Sequence, residues 1–242
     1  MGESISPMNG GSGTYSYARN STWQKNGAAA MENALKEAVM ESLDLQNVLC
    51  DSNTFIVADL GCSVGPNTFY AMDTIIEAVQ RKCNKSSLEF QVTFIDRIGN
   101  DFNTLFASLP EHGRNRNYFA AAVLGSFYGS LFPSSSVHIA YSSSALNWLS
   151  KMPEGSNATK IHYNGAPDAV VRAYETQFEE DMEVFFRCRA REIAAGGLML
   201  FNMAAAPSRD VQHHVASMLT FIESILIDMV KEVYIVFALR KM

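Results

Sequence analysis

The chain has 242 residues, of which 48% are hydrophobic and 18% are charged. A chain of this length is expected to bury about 70 to 75% of its unfolded surface, as one domain around a single core. Its formal net charge of -6 leaves no basic excess to neutralise phosphates, which argues against a nucleic-acid partner and favours a small molecule or a protein.

The apolar runs predict neither a secretory leader nor a membrane anchor. The first residues contain no apolar segment flanked by positive charge, and no run reaches the roughly 20 residues that a membrane helix needs. We therefore expect a cytoplasmic location and no membrane partner. The cysteines are far apart and form no C-x-x-C pair, which argues against a zinc site and a disulfide framework.

Apolar periodicity along the chain alternates between strands and helices. Residues 53–60 are typical of a buried strand, and further strands are predicted at residues 88–96, 118–125, 136–144, 196–204 and 232–240. A helix after the first strand has an apolar face made of Phe69, Met72, Ile75, Ile76 and Val79. A second long helix is predicted before the fifth strand, and Gly196-Gly197 is expected to end it. Its apolar positions are Val170, Val171, Tyr174, Phe178, Met182, Phe185 and Phe186.

Strands that alternate with helices predict an α/β fold with a mostly parallel, Rossmann-like sheet and helices on both faces. Such sheets bind ligands at the carboxyl ends of their strands. Two histidines, His138 and His162, are expected to be neutral imidazoles with hydrogen-bond partners rather than bases.

The stretch at residues 57–70, VADLGCSVGPNTFY, predicts a strand that ends at an acid, a glycine turn and the start of a helix. A dinucleotide fingerprint needs G-x-G-x-x-G with an acid about 20 residues later. Here the glycines run G-x-x-x-G, and the next strand-end acid, Asp96, lies well beyond that distance. A phosphate-binding loop needs G-K-[ST], whereas Gly65 is followed by Pro66. Neither ligand fits the pattern.

A serine hydrolase is an alternative for the same stretch. The turn satisfies G-x-S-x-G around Ser63, and Asp168 and His213 follow in the order of a hydrolase triad. Against this reading, a nucleophile elbow follows several strands, whereas here the first strand leads directly into the turn.

An adenosine with a positively charged tail explains more of these residues. Asp96 can accept hydrogen bonds from both ribose hydroxyls, and a carboxylate near the turn favours an ammonium or sulfonium group. The predicted cofactor is S-adenosylmethionine. Purely structural roles stay open, because Gly61 and Gly65 permit a tight turn, Asn67 or Asp96 can cap a helix, and aromatic residues commonly fill a core.

Five segments resemble, in the same order, motifs of the plant SABATH methyltransferases. They are MNGGSGTYSYARNSTWQ, ADLGCSVGPNTF, DRIGNDFNTLFASLP, GSFYGSLFP and SSSALNWLSKMPEG. The resemblance extends from about Met8 to Val230, and KIHYNGAPDAVVRAYETQFEEDMEVF is most similar to the branch that includes loganic acid methyltransferase. It implies a class I methyltransferase sheet, transfer of a methyl group from S-adenosylmethionine to the carboxylate of a small plant acid, and a homodimer.

By motif position, the resemblance implies two sets of site residues. Cofactor-binding positions are Tyr17, Ser21, Asp59, Gly61, Cys62, Asn67, Asp96, Arg97, Ser126 and Phe127. Substrate-binding positions are Gln24, Ser144, Asn147 and Trp148. In the second set, Gln24 and Trp148 are expected to donate hydrogen bonds to the substrate carboxylate. Because a carboxylic acid with a pKa near 4 is almost fully ionised at pH 7, no general base is predicted.

The chain departs from the family pattern near Lys231, where a segment that supplies a helical substrate cap is largely missing. The expected organisation is one methyltransferase domain: a covering segment at 1–50, a cofactor-binding core at 51–230, and a terminal strand at 231–242. Only Asn157 matches the family's magnesium positions, so no metal is predicted. The incomplete cap leaves open a non-catalytic cofactor-binding or partner-subunit role.

Overall fold

A computed structural model describes residues 7–49, 53–83, 87–114, 116–153, 166–205 and 214–231. The strands in these residues are β1 (Thr54–Leu60), β2 (Glu89–Asp96), β3 (Phe119–Leu124), β4 (Val137–Ser143) and β5 (Ile193–Asn202). They form one parallel sheet in the order β3-β2-β1-β4-β5. The chain first adds β2 and β3 on one side of β1, and then adds β4 and β5 on the other side. The predicted α/β class with a mostly parallel sheet is confirmed.

Helices connect the strands and precede the sheet. They are α1 (Tyr17–Asn20), α2 (Thr22–Ala30), α3 (Glu32–Ser42), α4 (Leu45–Val48), α5 (Pro66–Lys82), α6 (Phe102–Ala107), α7 (Asp168–Glu192) and α8 (His214–Lys231). The predicted strand at 232–240 lies outside the described residues.

The two faces of the sheet contribute to two separate apolar cores. Successive strand side chains point to opposite faces, and accordingly Val57 and Phe94 lie in one core while Ala58 and Ile95 lie in the other. The first core is covered by α3 and α5, and the second by the end of α7, where Phe185 is fully buried. Helices therefore cover both faces, as the α/β pattern predicts.

Helix α5 begins directly after the glycine turn. Gly65 is its N-cap residue and Pro66 occupies the first turn, where the fixed φ of proline suits a helix and its missing N–H is not needed. All five predicted apolar-face residues are buried against the first core. Because this face is held firmly, the first turn of α5 is fixed at the carboxyl end of β1.

The predicted end of the long helix is wrong. Helix α7 ends at Glu192, and β5 starts at once and runs through both glycines. Gly196 has φ +83° at an irregularity where β5 slips against β4, and a Cβ on Gly197 would lie 2.6 Å from the His138 carbonyl oxygen. The glycines thus permit a close approach of strands instead of ending the helix.

By internal contacts the chain divides into two compact units. The first comprises Met1–Ser150 and Asp181–Met203, and contains the sheet. The second comprises Lys151–Glu180 and Ala204–Met242. Helix α8 of the second unit carries several exposed apolar side chains, namely Met218, Phe221, Ile222, Ile225, Ile227 and Met229. Among the described helices, none combines the length and hydropathy needed to cross a membrane.

Candidate functional site

The glycine turn after β1 is held by backbone hydrogen bonds to β2. The N–H groups of Gly61 and Cys62 both donate to the Ile95 carbonyl oxygen, over 2.8 and 3.0 Å. Gly61 has φ +90°, and a Cβ there would lie 2.3 Å from the Ala145 Cβ. Only glycine fits this position, because φ is positive and the Ala145 side chain packs where a Cβ would lie. The tight turn predicted for Gly61 is therefore present.

A small crevice, with a cavity volume of about 30 Å³, opens at this turn. Its walls come from the carboxyl ends of β1 and β4, from the glycine turn, and from α1, α2 and α5. Six of the predicted site residues meet here: Tyr17, Gln24, Asp59, Gly61, Cys62 and Asn67. Five further lining residues were not predicted from the sequence: Ala28, Thr68, Ala71, Tyr141 and Ser143.

Asp59 is the buried acid of the crevice, with only 3% of its surface exposed. Burial raises the pKa of its carboxyl to about 7, because a charge is poorly solvated there. The Thr68 hydroxyl donates a hydrogen bond to the carboxyl and lowers this pKa, whereas the nearby Asp96 charge raises it further. Asp59 is therefore poised between neutral and charged forms near neutral pH. A cation in the crevice favours the charged form.

Asp96 ends β2 beside the turn, and its carboxylate organises the backbone there. Oδ2 accepts the Ser63 N–H over 2.7 Å, and Oδ1 accepts the Arg97 N–H over 2.8 Å. Burial raises the pKa of the Asp96 carboxyl, while these two hydrogen bonds and the Arg97 charge lower it. Asp96 does not cap a helix; the cap of α6 is Asp101. Each Asp96 oxygen keeps a further lone pair for a ligand hydroxyl.

Asn67 links the helix start to the N-terminal segment. Its Nδ2 donates to the Ser21 Oγ over 3.0 Å and to the Ser21 carbonyl oxygen over 3.2 Å. Its side chain also bonds to Tyr17, whose hydroxyl pKa is raised by burial. Asn67 therefore does not cap α5, and Tyr17, Ser21 and Asn67 form one connected group at the crevice.

Gln24 brings an unpaired amide oxygen to the crevice. Its Oε1 is buried and has no hydrogen-bond partner among the described residues. Because the two ends of a side-chain amide are interchanged by a half-turn, this position can present either an acceptor or an N–H donor to a ligand. A buried polar atom without a partner costs about 1 to 3 kcal/mol, so a polar ligand would relieve a real deficit.

The other predicted residues lie outside the lining of the crevice. Phe127 lies beside the turn, with its Cε1 atom 3.6 Å from where a Gly61 Cβ would stand. Trp148 is 55% exposed, and its carbonyl oxygen accepts the Tyr128 hydroxyl over 2.8 Å. The remaining six are also not part of the lining: Ser21, Asp96, Arg97, Ser126, Ser144 and Asn147.

The hydrolase alternative gains no support. Ser63 has φ +50° and a buried Oγ without a hydrogen-bond partner in the described part of the chain. The Asp168 carboxylate is 91% exposed and pairs with Arg172 at 3.9 Å, which is unlike the buried acid of a triad. His213 lies outside the described residues.

Asn157, the position that matches the family's magnesium site, also lies outside the described residues. No cluster of three or more potential metal ligands occurs where the structure is described.

A parallel sheet with a glycine turn after β1, a buried acid beside it and an acid ending β2 defines the class of nucleoside-binding α/β proteins. Comparison with known proteins identifies the family within this class. Residues 3–237 match the family model described as SAM dependent carboxyl methyltransferase, and the chain belongs to this family. The predicted SABATH membership is confirmed.

The similar proteins include enzymes named for small plant acids. The chain is 45% identical over 217 residues to loganic acid O-methyltransferase of Catharanthus roseus, which covers 85% of this chain and 58% of that protein. It is 39% identical over 211 residues to salicylate carboxymethyltransferase of Clarkia breweri, covering 84% and 58%. A solved structure of loganic acid methyltransferase with SAH superimposes with a TM-score of 0.86 at 41% identity, covering 93% of this chain and 67% of that one. The chain thus spans under two thirds of these curated relatives' length.

Proposed function

We propose that this chain binds S-adenosylmethionine in the crevice after β1 and directs methyl transfer to the carboxylate of a small plant acid. The observation that carries the proposal is the meeting of six motif residues in one crevice around the buried Asp59. Family membership and the names of the relatives support the same chemistry.

The residues present fit this cofactor. Asp59 and Tyr17 offer a carboxylate and an aromatic ring to a cationic amino-acid tail, Gly61 adds backbone atoms to the crevice wall, and the free lone pairs of Asp96 suit ribose hydroxyls. The proposed nucleoside contacts continue along the loop that carries Ser126 and Phe127.

The chemistry needs positioning more than acid–base catalysis. The bound cofactor would supply an electrophilic methyl group on a positively charged sulfur, which an ionised carboxylate can accept without losing a proton. Gln24 and Trp148 donate N–H groups to the carboxylate oxygens, each worth about 1.5 to 3 kcal/mol when the acceptor is charged. Aligning the nucleophile in this way can lower the barrier by about 7 to 11 kcal/mol.

Two measurements test the proposal. Isothermal titration with S-adenosylhomocysteine is expected to show one site per chain. Transfer of a labelled methyl group is then measured with loganic, salicylic, gibberellic and farnesoic acids, the acids for which the similar enzymes are named. Labelled ester with at least one of them is the expected result. Binding without transfer would support the non-catalytic alternative, and no binding would reject the cofactor site.

A substitution at Gln24 separates the two halves of the proposal. Gln24→Glu places a negative charge beside the incoming carboxylate, so transfer should fall at least tenfold while S-adenosylhomocysteine still binds. The matched control is Gln46→Glu, at an exposed glutamine outside the crevice. Equal transfer by the two variants would contradict the role given to Gln24.

We also propose a cytoplasmic homodimer. Light scattering on the purified protein tests the oligomeric state, and a fluorescent fusion tests the location.

A further inference from the structure

The end of α7 contains a buried ion pair. Arg189 and Glu192 each have only 1% of their side chain exposed, and Arg189 Nη2 lies 2.8 Å from Glu192 Oε2. Arg189 Nε also donates to the same oxygen, over 3.0 Å. A full salt bridge removed from water in this way needs an explanation beyond stability, because an apolar pair of similar volume is usually as stabilising or more so.

Both members of the pair also hold the loop between β3 and β4. Arg189 Nη1 donates to the Phe127 carbonyl oxygen over 2.9 Å, and Nη2 donates to that of Gly129 over 2.8 Å. Glu192 Oε1 accepts the Leu131 N–H over 2.7 Å. The two side chains thus fix three alternate backbone groups of residues 127–131.

Residues 125–128 of the same loop also contact segments that carry candidate site residues. Gly125 N–H donates to the Asp96 carbonyl oxygen over 2.9 Å, at the start of the loop. The Phe127 ring lies beside the Gly61 turn, and the Tyr128 hydroxyl donates to the Trp148 carbonyl oxygen. The loop therefore joins the β2 terminus, the glycine turn and the segment that follows β4.

We propose that Arg189 and Glu192 are positioning residues for the nucleoside end of the cofactor site, acting through residues 125–131. The inference rests on the proposed function, since it assigns the loop to that cofactor. Neither residue is part of the crevice lining. Their charges hold the backbone so that Ser126 and Phe127 present a preformed wall.

The test replaces the pair by apolar residues of similar volume, R189M/E192L, which keeps the site filled while releasing the loop. The matched control is E183L/R187M, which removes an exposed pair with 3.6 Å between Arg187 Nη1 and Glu183 Oε1 on the same helix. Titration with S-adenosylhomocysteine should show at least a tenfold weaker Kd for the first variant and a change below twofold for the control. Circular dichroism and thermal melting confirm that both variants are folded.

A second readout does not depend on any ligand. Hydrogen exchange of the Leu131 amide should accelerate at least tenfold in R189M/E192L and stay unchanged in the control, because only the first variant removes its acceptor. If the wild-type protein does not bind S-adenosylhomocysteine, the proposed function is rejected. The positioning role of Arg189 and Glu192 toward the cofactor is then rejected too, even if Leu131 exchange accelerates in the variant.

A folded R189M/E192L variant whose Kd stays within twofold of wild type would overturn the inference with the proposed function intact. Should the double variant not fold, E192Q gives the same decision, since it keeps the size and an oxygen for Leu131 but removes the charge that fixes Arg189. A three- to tenfold weaker Kd for S-adenosylhomocysteine is expected for E192Q, and an unchanged Kd would overturn the inference.

Discussion

The Ser63 N–H donates to Asp96 Oδ2 over 2.7 Å, which joins the glycine turn after β1 to the end of β2. A single carboxylate therefore shapes the turn and, in the proposed function, also receives the ribose. These two roles predict different effects for two substitutions at one position.

Asp96→Asn should weaken S-adenosylhomocysteine binding about 10- to 100-fold, because an ionised acceptor for the ribose hydroxyls is replaced by a neutral amide. Asp96→Ala should weaken binding at least as much and also lower the free energy of unfolding by about 1 to 3 kcal/mol, since the Ser63 and Arg97 N–H groups lose their acceptors. Titration and urea unfolding measure the two effects. Glu89→Gln, at the exposed start of β2, is the control and should change neither.

Asp59 predicts a pH dependence of ligand affinity. With its pKa raised to about 7 by burial, the carboxyl is mostly neutral at pH 6 and mostly charged at pH 8. Affinity for S-adenosylhomocysteine, whose amino group is a cation, should therefore rise about tenfold between these pH values. Asp59→Asn should abolish the rise. An equally steep pH profile in that variant would assign the titration to another group.

The raised pKa of Asp59 also determines how the free energy of unfolding of the ligand-free protein changes with pH. A carboxyl whose pKa is raised on folding stabilises the native state most below the usual pKa of 3.8, and this contribution is lost as pH rises through about 7. Urea unfolding should thus find Asp59→Asn more stable, relative to wild type, at pH 8.5 than at pH 5.5.

Tyr128→Phe should affect the acid substrate more than the cofactor. The change removes the hydroxyl that donates to the Trp148 carbonyl oxygen, so the Trp148 loop loses a tether worth about 0.5 to 1.5 kcal/mol. The KM of the acid should rise about three- to tenfold, while the Kd of S-adenosylhomocysteine should change less than twofold. Tyr70→Phe removes an exposed hydroxyl bonded to Glu32 and should leave both constants unchanged.

Gly61→Ala should be among the most damaging single substitutions in the chain. Its φ of +90° disfavours any side chain by about 1 to 3 kcal/mol, and the new Cβ would also overlap Ala145. Thermal melting should show a marked drop for this variant. Gly27→Ala is the matched control: Gly27 lies in α2 with open space around it, so alanine should be neutral or stabilise by about 0.5 to 1 kcal/mol.

We expect His138 to lower the stability of the folded protein below about pH 6.5. Its Nδ1 accepts the Ile56 N–H over 2.7 Å, and burial lowers its pKa, so the folded state favours the neutral ring. This contribution is complete above the usual pKa of about 6.5 and falls as pH drops below it. His138→Leu should cost about 1 to 3 kcal/mol at pH 7.5 and flatten this part of the pH–stability profile, whereas His112→Leu, at an exposed site, should retain the slope.

The sheet could be predicted from sequence because β1 is a nearly continuous apolar run, which is typical of a strand buried on both faces, and because short β-rich segments recur between helical ones. The boundary between α7 and β5 could not. Glycine ends many helices, but at Gly196 and Gly197 close contacts with residues distant in sequence decide the conformation. The neutral, hydrogen-bonded state predicted for His138 is confirmed, and His162 lies outside the described residues.

The site was predictable where one short segment supplies both the turn and the acid, as at Asp59 and Gly61. Thr68 and Tyr141 were missed because each looks like an ordinary core residue in its own element. The position of Tyr141 near the end of β4, the strand beside β1, is the signal that could have identified it. The roles of Arg189 and Glu192 were beyond sequence reasoning, because their partners lie about 60 positions away.

The separation of Val57 and Ala58 into different cores constrains how β1 can evolve. Side chains alternate between the two faces of the sheet, so the position of a residue along β1 decides which face its side chain meets. Inserting or deleting one residue before Asp59 would therefore exchange the apolar contacts of the two cores and turn the Asp59 carboxyl toward the opposite face. Length changes in this strand should survive in descendants of this chain only in pairs, or where a bulge absorbs the odd residue.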